Sequence, residues 1–262
     1  MSDTCLHPYS TDLKAFLEEK YHQYNCRRFI ATDPIQIPKI FEEPEDIEIA
    51  GFLTATIAWG QRKTIINNMH KLLQRMDYKP FDFVMNAGKP ELESLRNFKH
   101  RTFNGADCIF FIRALKHIYR NHRGLRHVFE NVYRDKGGIE AALITFRETF
   151  FELPAPQRTH KHVADISKNA SAKRLNMFLR WMVRSDKEGI DFGIWEGISP
   201  KDLFIPLDVH SGNVARKLGF LTRKQNDWKA VLELTGNLRE FDPLDPVKYD
   251  FALFGLGAFE GF

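Results

Sequence analysis

The chain has 262 residues, of which 43% are hydrophobic and 27% charged, enough to form a substantial core beneath an ordinary charged surface. Its formal net charge of +4 permits a nucleic-acid partner without requiring one. No apolar run approaches the roughly 18 residues that span a bilayer, which excludes a transmembrane helix.

The amino terminus and the cysteines indicate the compartment. The first ten residues, MSDTCLHPYS, lack the basic and apolar regions of a secretion signal. Cys5, Cys26 and Cys108 are scattered and form no CxxC pair, as is usual for free thiols in a reducing environment. We therefore expect a cytoplasmic protein, a monomer, that does not contact membranes.

The first part of the chain shows helical periodicity almost throughout. A first amphipathic helix is predicted over 9–24, capped by Ser10 or Thr11, and three prolines in 33–44 predict an extended connector. The next segment, EPEDIEIAGFLTATIAWG, begins with acids and becomes apolar on every side, which predicts a central helix. Further helices are predicted over 62–76, 80–87, 91–95, 105–119, 124–133 and 138–152.

The second part continues the pattern and contains few strand signals. A loop is predicted over 153–162, followed by helices over 170–184, 200–204, 208–218, 226–237 and 245–254. Alternating β-branched residues bounded by turns are nearly absent, so the predicted fold class is all-α. We expect one module of two helical lobes with a cleft between them: a central lobe over 45–152, and a second lobe formed by 1–44 with 153–262.

Basic residues are concentrated between positions 158 and 184, where Asp165 is the only acid. The set consists of Arg158, Lys161, Lys168, Lys173, Arg174, Arg180 and Arg184, with His160 and His162 among them. On the predicted helix over 170–184, Lys173, Arg180 and Arg184 lie outside the apolar stripe. The pattern indicates either a surface that binds nucleic acid, with a phosphate at the helix N-terminus, or an ordinary solvated basic face.

A second informative segment is IPLDVHSGNVARKLG, which places Asp208 at the start of an apolar-patterned helix. Aspartate is a preferred N-cap residue, so the local sequence alone favours a capping role for Asp208. The segment PLDVHSGNVARKLG also resembles the one that carries the catalytic aspartate in helix-hairpin-helix DNA glycosylases, the superfamily of endonuclease III and 8-oxoguanine glycosylase. The matching positions are Asp208, His210, Val214, Leu218 and Gly219.

Two further segments extend this resemblance. NASAK resembles the Gly-x-Gly-x-Lys hairpin of the superfamily, which places Lys173 on the nucleophilic lysine of its bifunctional members. The interval between Lys173 and Asp208 is similar to that in archaeal 8-oxoguanine glycosylases. IAWG, KRLNMFLRWMVR and PLDVH resemble segments of the DUF2400 family.

The sequence departs from the glycosylase pattern at the hairpin, where Asn169 and Ser171 replace the two glycines. Asn169 can still form the turn, because asparagine tolerates left-handed backbone angles. Ser171 could cap the helix, but it adds a side chain where the backbone would approach phosphate. The carboxyl-terminal four-cysteine iron–sulfur motif of the superfamily is absent from the sequence.

The resemblance implies a glycosylase that removes a damaged base, such as an oxidised purine, from duplex DNA. Lys173 would attack C1′ as a neutral amine, Asp208 would stabilise positive charge on the sugar, and a Schiff base would allow AP-lyase cleavage. Candidate DNA contacts are Trp59, Gln61, Lys168, Asn169, Ser171, Arg174, Arg180 and His210. The alternative, which the missing glycines favour, is a non-catalytic module that binds nucleic acid, either DNA or RNA.

Aromatic residues could stack on a flipped base, and Gln61 could fill the gap that the base leaves. The stacking candidates are Trp59, Phe178, Trp181 and Trp195, although large aromatic residues more often belong to the core.

The sequence predicts no cofactor and no metal ion. It contains no phosphate-binding glycine loop and no dinucleotide-binding fingerprint. His117, His122 and His127 recur every five residues, an interval that lies on no single helical face. His160 and His162 have no third ligand at a recognised spacing.

Overall fold

The computed structural model describes residues 11–262, except for the side chains of Thr11, Phe29 and Lys136. The caps predicted for the first helix, Ser10 and the Thr11 side chain, lie outside this part. The α-helices are α1 (Thr11–Tyr24), α2 (Arg27–Ile30), α3 (Pro44–Ile57), α4 (Arg62–Gln74), α5 (Pro80–Asn86), α6 (Lys89–Ser94), α7 (Gly105–Asn121), α8 (Leu125–Lys136), α9 (Ile139–Phe150), α10 (Lys173–Val183), α11 (Val209–Lys217), α12 (Trp228–Phe241) and α13 (Tyr249–Gly255).

Shorter elements connect these helices. The 3₁₀ turns cover Pro34–Gln36, Pro38–Ile40, Leu95–Asn97, Gln157–His162, Ile166–Lys168, Pro200–Asp202 and Pro246–Lys248, and a π-helical turn covers Leu256–Glu260. Within residues 11–262 the only sheet is an antiparallel pair of two-residue strands, β1 (Lys99–His100) and β2 (Phe103–Asn104). The all-α prediction is therefore confirmed for the described chain, in which no helix has the length and apolar character needed to cross a membrane.

The connector over 33–44 is not extended, which corrects the sequence prediction. It forms two 3₁₀ turns, each with a proline at its first position, where the fixed φ of proline suits a helical start. Asp33 caps the first turn by accepting a hydrogen bond from the Ile35 amide at 3.0 Å. The segment contributes Ile35 and Ile37 to the core, so it is a packed part of the fold.

The centre of the core is α3, as the apolar sequence after its first turn predicts. Every residue from Ile47 to Ile57 is buried. The Phe52 ring lies 5.5–5.8 Å from four other phenylalanine rings, those of Phe111, Phe146, Phe150 and Phe178. Helix α10 packs directly against α3 at Gly51, where an added Cβ would lie 3.2 Å from the Met182 methyl group. This close packing fixes the position of α10, and with it the position of Lys173.

Candidate active site

Lys173 and Asp208 lie together. Lys173 is the first residue of α10 and Asp208 is the N-cap of α11, so two helix starts carry the pair. The Lys173 Nζ atom lies 3.6 Å from Asp208 Oδ2, and the two side chains are 27% and 20% exposed. Both groups are therefore close enough to act on one atom of a ligand and remain accessible to it.

The two oxygens of Asp208 make different contacts. Oδ1 accepts hydrogen bonds from the Ser211 amide at 3.0 Å and from the Ser211 hydroxyl at 3.2 Å, which caps α11. The Asp208 amide donates in turn to Ser211 Oγ at 3.0 Å. The ion pair with Lys173 uses Oδ2. A single carboxylate therefore caps the helix and faces the lysine, so the capping role and the proposed chemical role are compatible.

The turn before Lys173 contains two left-handed residues, but only one is where the sequence suggested. Asn169 has φ +62°, in agreement with its expected turn-forming role. The second left-handed residue is Ala172, with φ +49°, and not Ser171. Ala172 is also the N-cap of α10 and makes no side-chain cap, so the prediction that Ser171 could cap the helix is wrong. The first amide groups of α10 are consequently not covered by a capping side chain.

Asn169 forms hydrogen bonds within the protein through its side chain and its backbone. Its Nδ2 donates to Asp227 Oδ2 at 2.8 Å, and its backbone carbonyl accepts from the Trp228 amide at 3.1 Å. These bonds attach the turn to the start of α12. Asn169 therefore shapes the hairpin and is not a free donor to a ligand.

Lys173 and Asp208 line a cleft of about 600 Å³, a size typical of small-molecule and base pockets. Its walls come from both predicted lobes, although the division into two lobes stays a prediction. Aromatic and apolar side chains form much of the lining: Trp59, Ile65, Met177, Trp181, Phe251, Phe254 and Phe259. The charged groups are Asp33, Arg62, Lys173, Arg174, Arg180, Asp208 and Asp250.

Two buried carboxylates share the cleft with the pair. Burial raises the pKa of Asp250 to about 6, although the charge of the neighbouring Arg180 lowers it. Burial also raises the pKa of Asp33, against the lowering effects of its hydrogen bond from Ile35 and of nearby cations. Burial in the cleft therefore favours the neutral form of both carboxyl groups.

Arg174 positions Trp59. Its guanidinium lies 4.9 Å from the centre of the Trp59 ring and donates to the Thr56 carbonyl and, at 3.4 Å, to the Lys161 carbonyl. Burial lowers the pKa of Arg174 to about 10. The predicted DNA contact through Arg174 does not fit this arrangement, because its guanidinium is engaged within the protein.

Arg180 and Arg184 also depart from the predicted basic face. Their side chains are 4% and 1% exposed. Arg180 pairs with Asp191 at 3.3 Å and with Asp250, and Arg184 pairs with Asp186, Asp191 and Asp245 at 2.7–3.1 Å. These carboxylates follow the basic cluster in sequence, and they enclose both guanidinium groups. Arg180 is therefore a buried structural cation and cannot reach a DNA phosphate from this position.

The remaining predicted residues are more accessible. Lys168 has an 81% exposed side chain, and Gln61 is exposed at the N-cap of α4 but does not line the cleft. His210 is exposed, lines the cleft, and has its ring 6.1 Å from that of Phe254.

Among the predicted stacking residues, Phe178, Trp181 and Trp195 are fully buried, which leaves the partly exposed Trp59. Phe254 and Phe259 supply further ring faces that sequence reasoning missed. The phenylalanine-rich ending FALFGLGAFEGF was the available signal for them.

A model of the DUF2400 family, described as proteins of unknown function, matches residues 33–259. The chain therefore belongs to this family, as the segments IAWG, KRLNMFLRWMVR and PLDVH predicted. Neither a curated protein nor a solved structure matches the chain. The resemblance to helix-hairpin-helix glycosylases stays a prediction, so an inference about activity must rest on the cleft and its residues.

Proposed function

We propose that the protein is a DNA glycosylase that removes a damaged base, such as an oxidised purine, and cleaves the strand through a Schiff base on Lys173. The observation that carries the proposal is the 3.6 Å separation between Lys173 Nζ and Asp208 Oδ2 on the wall of the cleft. The reaction requires an amine nucleophile and a carboxylate close to it.

The reaction assigns a separate task to each group. Asp208 accepts a proton from the ammonium of Lys173 and passes it through water to the departing base, and the neutral amine attacks C1′ of the flipped nucleotide while the C1′–N bond breaks. Once ionised again, the carboxylate stabilises the positive charge that develops on the sugar. Opening of the sugar ring produces an imine between C1′ and Nζ, and loss of the 2′ proton then expels the 3′ phosphate.

The walls of the cleft suit a flipped base. Trp59 and Phe254 contribute aromatic side chains to the lining of the cleft, and base–aromatic stacking is favourable for every base. Arg174 and the stacked His162 ring, 6.1 Å away, hold Trp59 in place. The rigid position of this ring reduces the entropy lost when a base binds.

The N-terminus of α10 is suited to bind a phosphate next to the cleft. Its amide groups lack a side-chain cap, and they border a second depression, the side groove, which has a volume of about 380 Å³ and is lined by 160–165 and 170–175 among other residues. Lys161 is exposed in this groove. Helix N-termini attract anions because of their free amides and dipole, so a backbone phosphate would be oriented there beside Lys173.

Borohydride trapping tests the proposal. Sodium borohydride should reduce the imine and yield a covalent complex of the wild-type protein with DNA that contains 8-oxoguanine or an abasic site. Lys173→Gln should abolish the complex but leave DNA binding nearly intact. Lys187→Gln is the matched control, because it removes an exposed lysine outside the cleft and should trap normally. Equal trapping by Lys173→Gln and the wild type would reject Lys173 as the nucleophile.

A non-catalytic nucleic-acid-binding module is the second candidate. The capping bonds from Ser211 to Asp208 Oδ1 favour it, because they give the aspartate a structural reason to be present. This candidate expects DNA binding without base release or trapping on any lesion. A screen of duplexes that carry different damaged bases therefore distinguishes the two.

A further inference from the structure

Two histidines and a glutamate form a compact cluster outside the cleft. The Nε2 atoms of His117 and His122 lie 2.6 Å and 3.0 Å from the same oxygen, Oε2 of Glu152. One candidate ligand atom from each residue lies within 4.8 Å of the others. None of these residues lines the cleft, so the cluster is independent of the proposed glycosylase activity.

The end of a helix brings the two histidines together. His117 lies in α7, four residues before its end at Asn121, whereas His122 is the C-cap of this helix, with φ −122° and ψ 12°. The chain has left helical geometry at His122, so the argument from helical periodicity does not apply to this pair. Glu152 follows the end of α9 and approaches from a different part of the sequence.

We propose that His117, His122 and Glu152 bind a divalent transition-metal ion, with zinc as the best-suited ion. Two imidazole nitrogens and one carboxylate oxygen form a ligand set that zinc accepts, with water in the fourth position. Zinc lies about 2.0–2.2 Å from such ligands, so tetrahedral geometry separates the ligand atoms by about 3.3 Å. The two histidine–glutamate distances, 2.6 Å and 3.0 Å, lie within about 1 Å of this value, and the glutamate side chain is 42% exposed and can move.

Asn121 completes the arrangement around His117. Its Nδ2 atom lies 2.8 Å from His117 Nδ1. Coordination through Nε2 requires the proton of the neutral ring to be on Nδ1, and rotation of the Asn121 amide presents its oxygen as the acceptor for that proton. The structure thus supplies a partner for the non-coordinating nitrogen, which is usual for histidine ligands of metals.

A bound ion would connect the C-terminus of α7 to the segment that follows α9. This segment leads to Arg158 and Thr159, which bind the buried Asp107 near the start of α7. The ion would therefore close a second link between α7 and the same segment, and it would stabilise the fold, because it binds the folded state preferentially.

Zinc titration of the full chain, in competition with a chromophoric chelator, tests the site. We expect one ion per chain, a higher melting temperature with zinc, and visible absorption bands on Co²⁺ substitution. His122→Gln and Glu152→Gln should each weaken binding at least about tenfold, the range seen for lost coordination-sphere partners. His127→Gln is the control, because His127 continues the five-residue interval but lies outside the cluster.

Circular dichroism of the metal-free variants checks their folding. If His122→Gln does not fold, Glu152→Gln decides, because this exposed side chain is the one least needed for packing. Unchanged zinc affinity in Glu152→Gln, or an equal loss in His127→Gln, would overturn the proposed ligand set.

Discussion

The two ends of α10 carry basic residues of the same sequence cluster, 158–184, but these residues lie in opposite environments. At the N-terminal end, Lys173 is 27% exposed, faces the cleft and lies 3.6 Å from the carboxylate of Asp208. At the C-terminal end, Arg184 is 1% exposed and meets three carboxylates and the Tyr21 hydroxyl. One helix therefore presents one cation to the cleft and buries another in the core.

The difference follows from the cost of removing charge from water. A buried guanidinium is tolerated only when several partners satisfy its donors, and Arg184 has them. The ammonium of Lys173, which is 27% exposed and forms an ion pair with Asp208, keeps access to solvent. The number of partners and the degree of burial, rather than charge alone, distinguish the buried end of α10 from the end that faces the cleft.

The largest expected effect concerns the carboxylate beside Lys173. Asp208→Asn should slow base release by about 10²-fold or more, because it removes charge stabilisation from the transition state. It should change stability little, since asparagine is also a good N-cap, whereas Asp208→Ala should cost about 0.5–2 kcal/mol of unfolding free energy. Single-turnover base release and denaturant unfolding measure the two effects. If Asp208→Asn is fully active and Asp208→Ala is destabilised, the residue is only a cap.

The second expected effect concerns the buried end of α10. Arg184→Gln should lower the free energy of unfolding by about 3–5 kcal/mol, because Asp191 and Asp245 lose a buried cationic partner. Urea unfolding measures this loss. Lys187→Gln, an exposed control three residues further along, should change stability by less than about 0.5 kcal/mol. A loss below about 1 kcal/mol for Arg184→Gln would contradict the structural role.

The sequence predicted what depends on local pattern. A segment that is apolar on every side located α3, and an apolar stripe located α10. The resemblance to helix-hairpin-helix glycosylases implied that Lys173 and Asp208 share one site, and the two side chains lie 3.6 Å apart. Asn169 was predicted to form the turn because asparagine has a known tolerance for left-handed angles.

The sequence did not predict what depends on distant partners. The burial of Arg180 requires Asp250, which is 70 residues away and reaches it only in the folded chain. The His117 and His122 cluster depends on the exact end of α7, and helix ends are less certain than helix centres. The second left-handed position, Ala172, has a backbone conformation that alanine rarely adopts, so residue preference could not predict it.

A smaller effect connects the two ends of α10 through Asp250, which pairs with Arg180 and lines the cleft. Its pKa of about 6 exceeds the ordinary value of 3.8, so the folded state binds a proton more tightly than the unfolded state does. The associated stability is present below pH 3.8 and is lost as pH rises through about 6. Relative to Asp250→Asn, the wild type should therefore lose about 1 kcal/mol between pH 5 and pH 7.

Urea unfolding of both proteins at the two pH values measures this difference. Asp135→Asn, whose side chain is 61% exposed in the wild type, is the control and should show no comparable change. A wild type that gains stability relative to Asp250→Asn over this range would show that the pair with Arg180 outweighs the burial of the carboxyl group.

The smallest expected effect compares exposed lysines near the two ends of α10. Lys161 is exposed in the side groove next to the N-terminus of α10, whereas Lys187 is exposed beyond its C-terminus. If DNA phosphate binds at the N-terminal end, Lys161→Gln should reduce the salt dependence of duplex binding by about one phosphate contact. The slope of log affinity against log salt then changes by about 0.9, which is three- to fourfold in affinity between 50 and 200 mM salt.

Lys187→Gln should leave the slope unchanged, because its end of the helix is occupied by internal ion pairs. Fluorescence anisotropy over a salt series measures both slopes. Equal slopes for the two variants would contradict phosphate binding at the N-terminus of α10. If the wild type binds neither intact nor damaged duplexes at about 50 mM salt, a DNA partner is excluded.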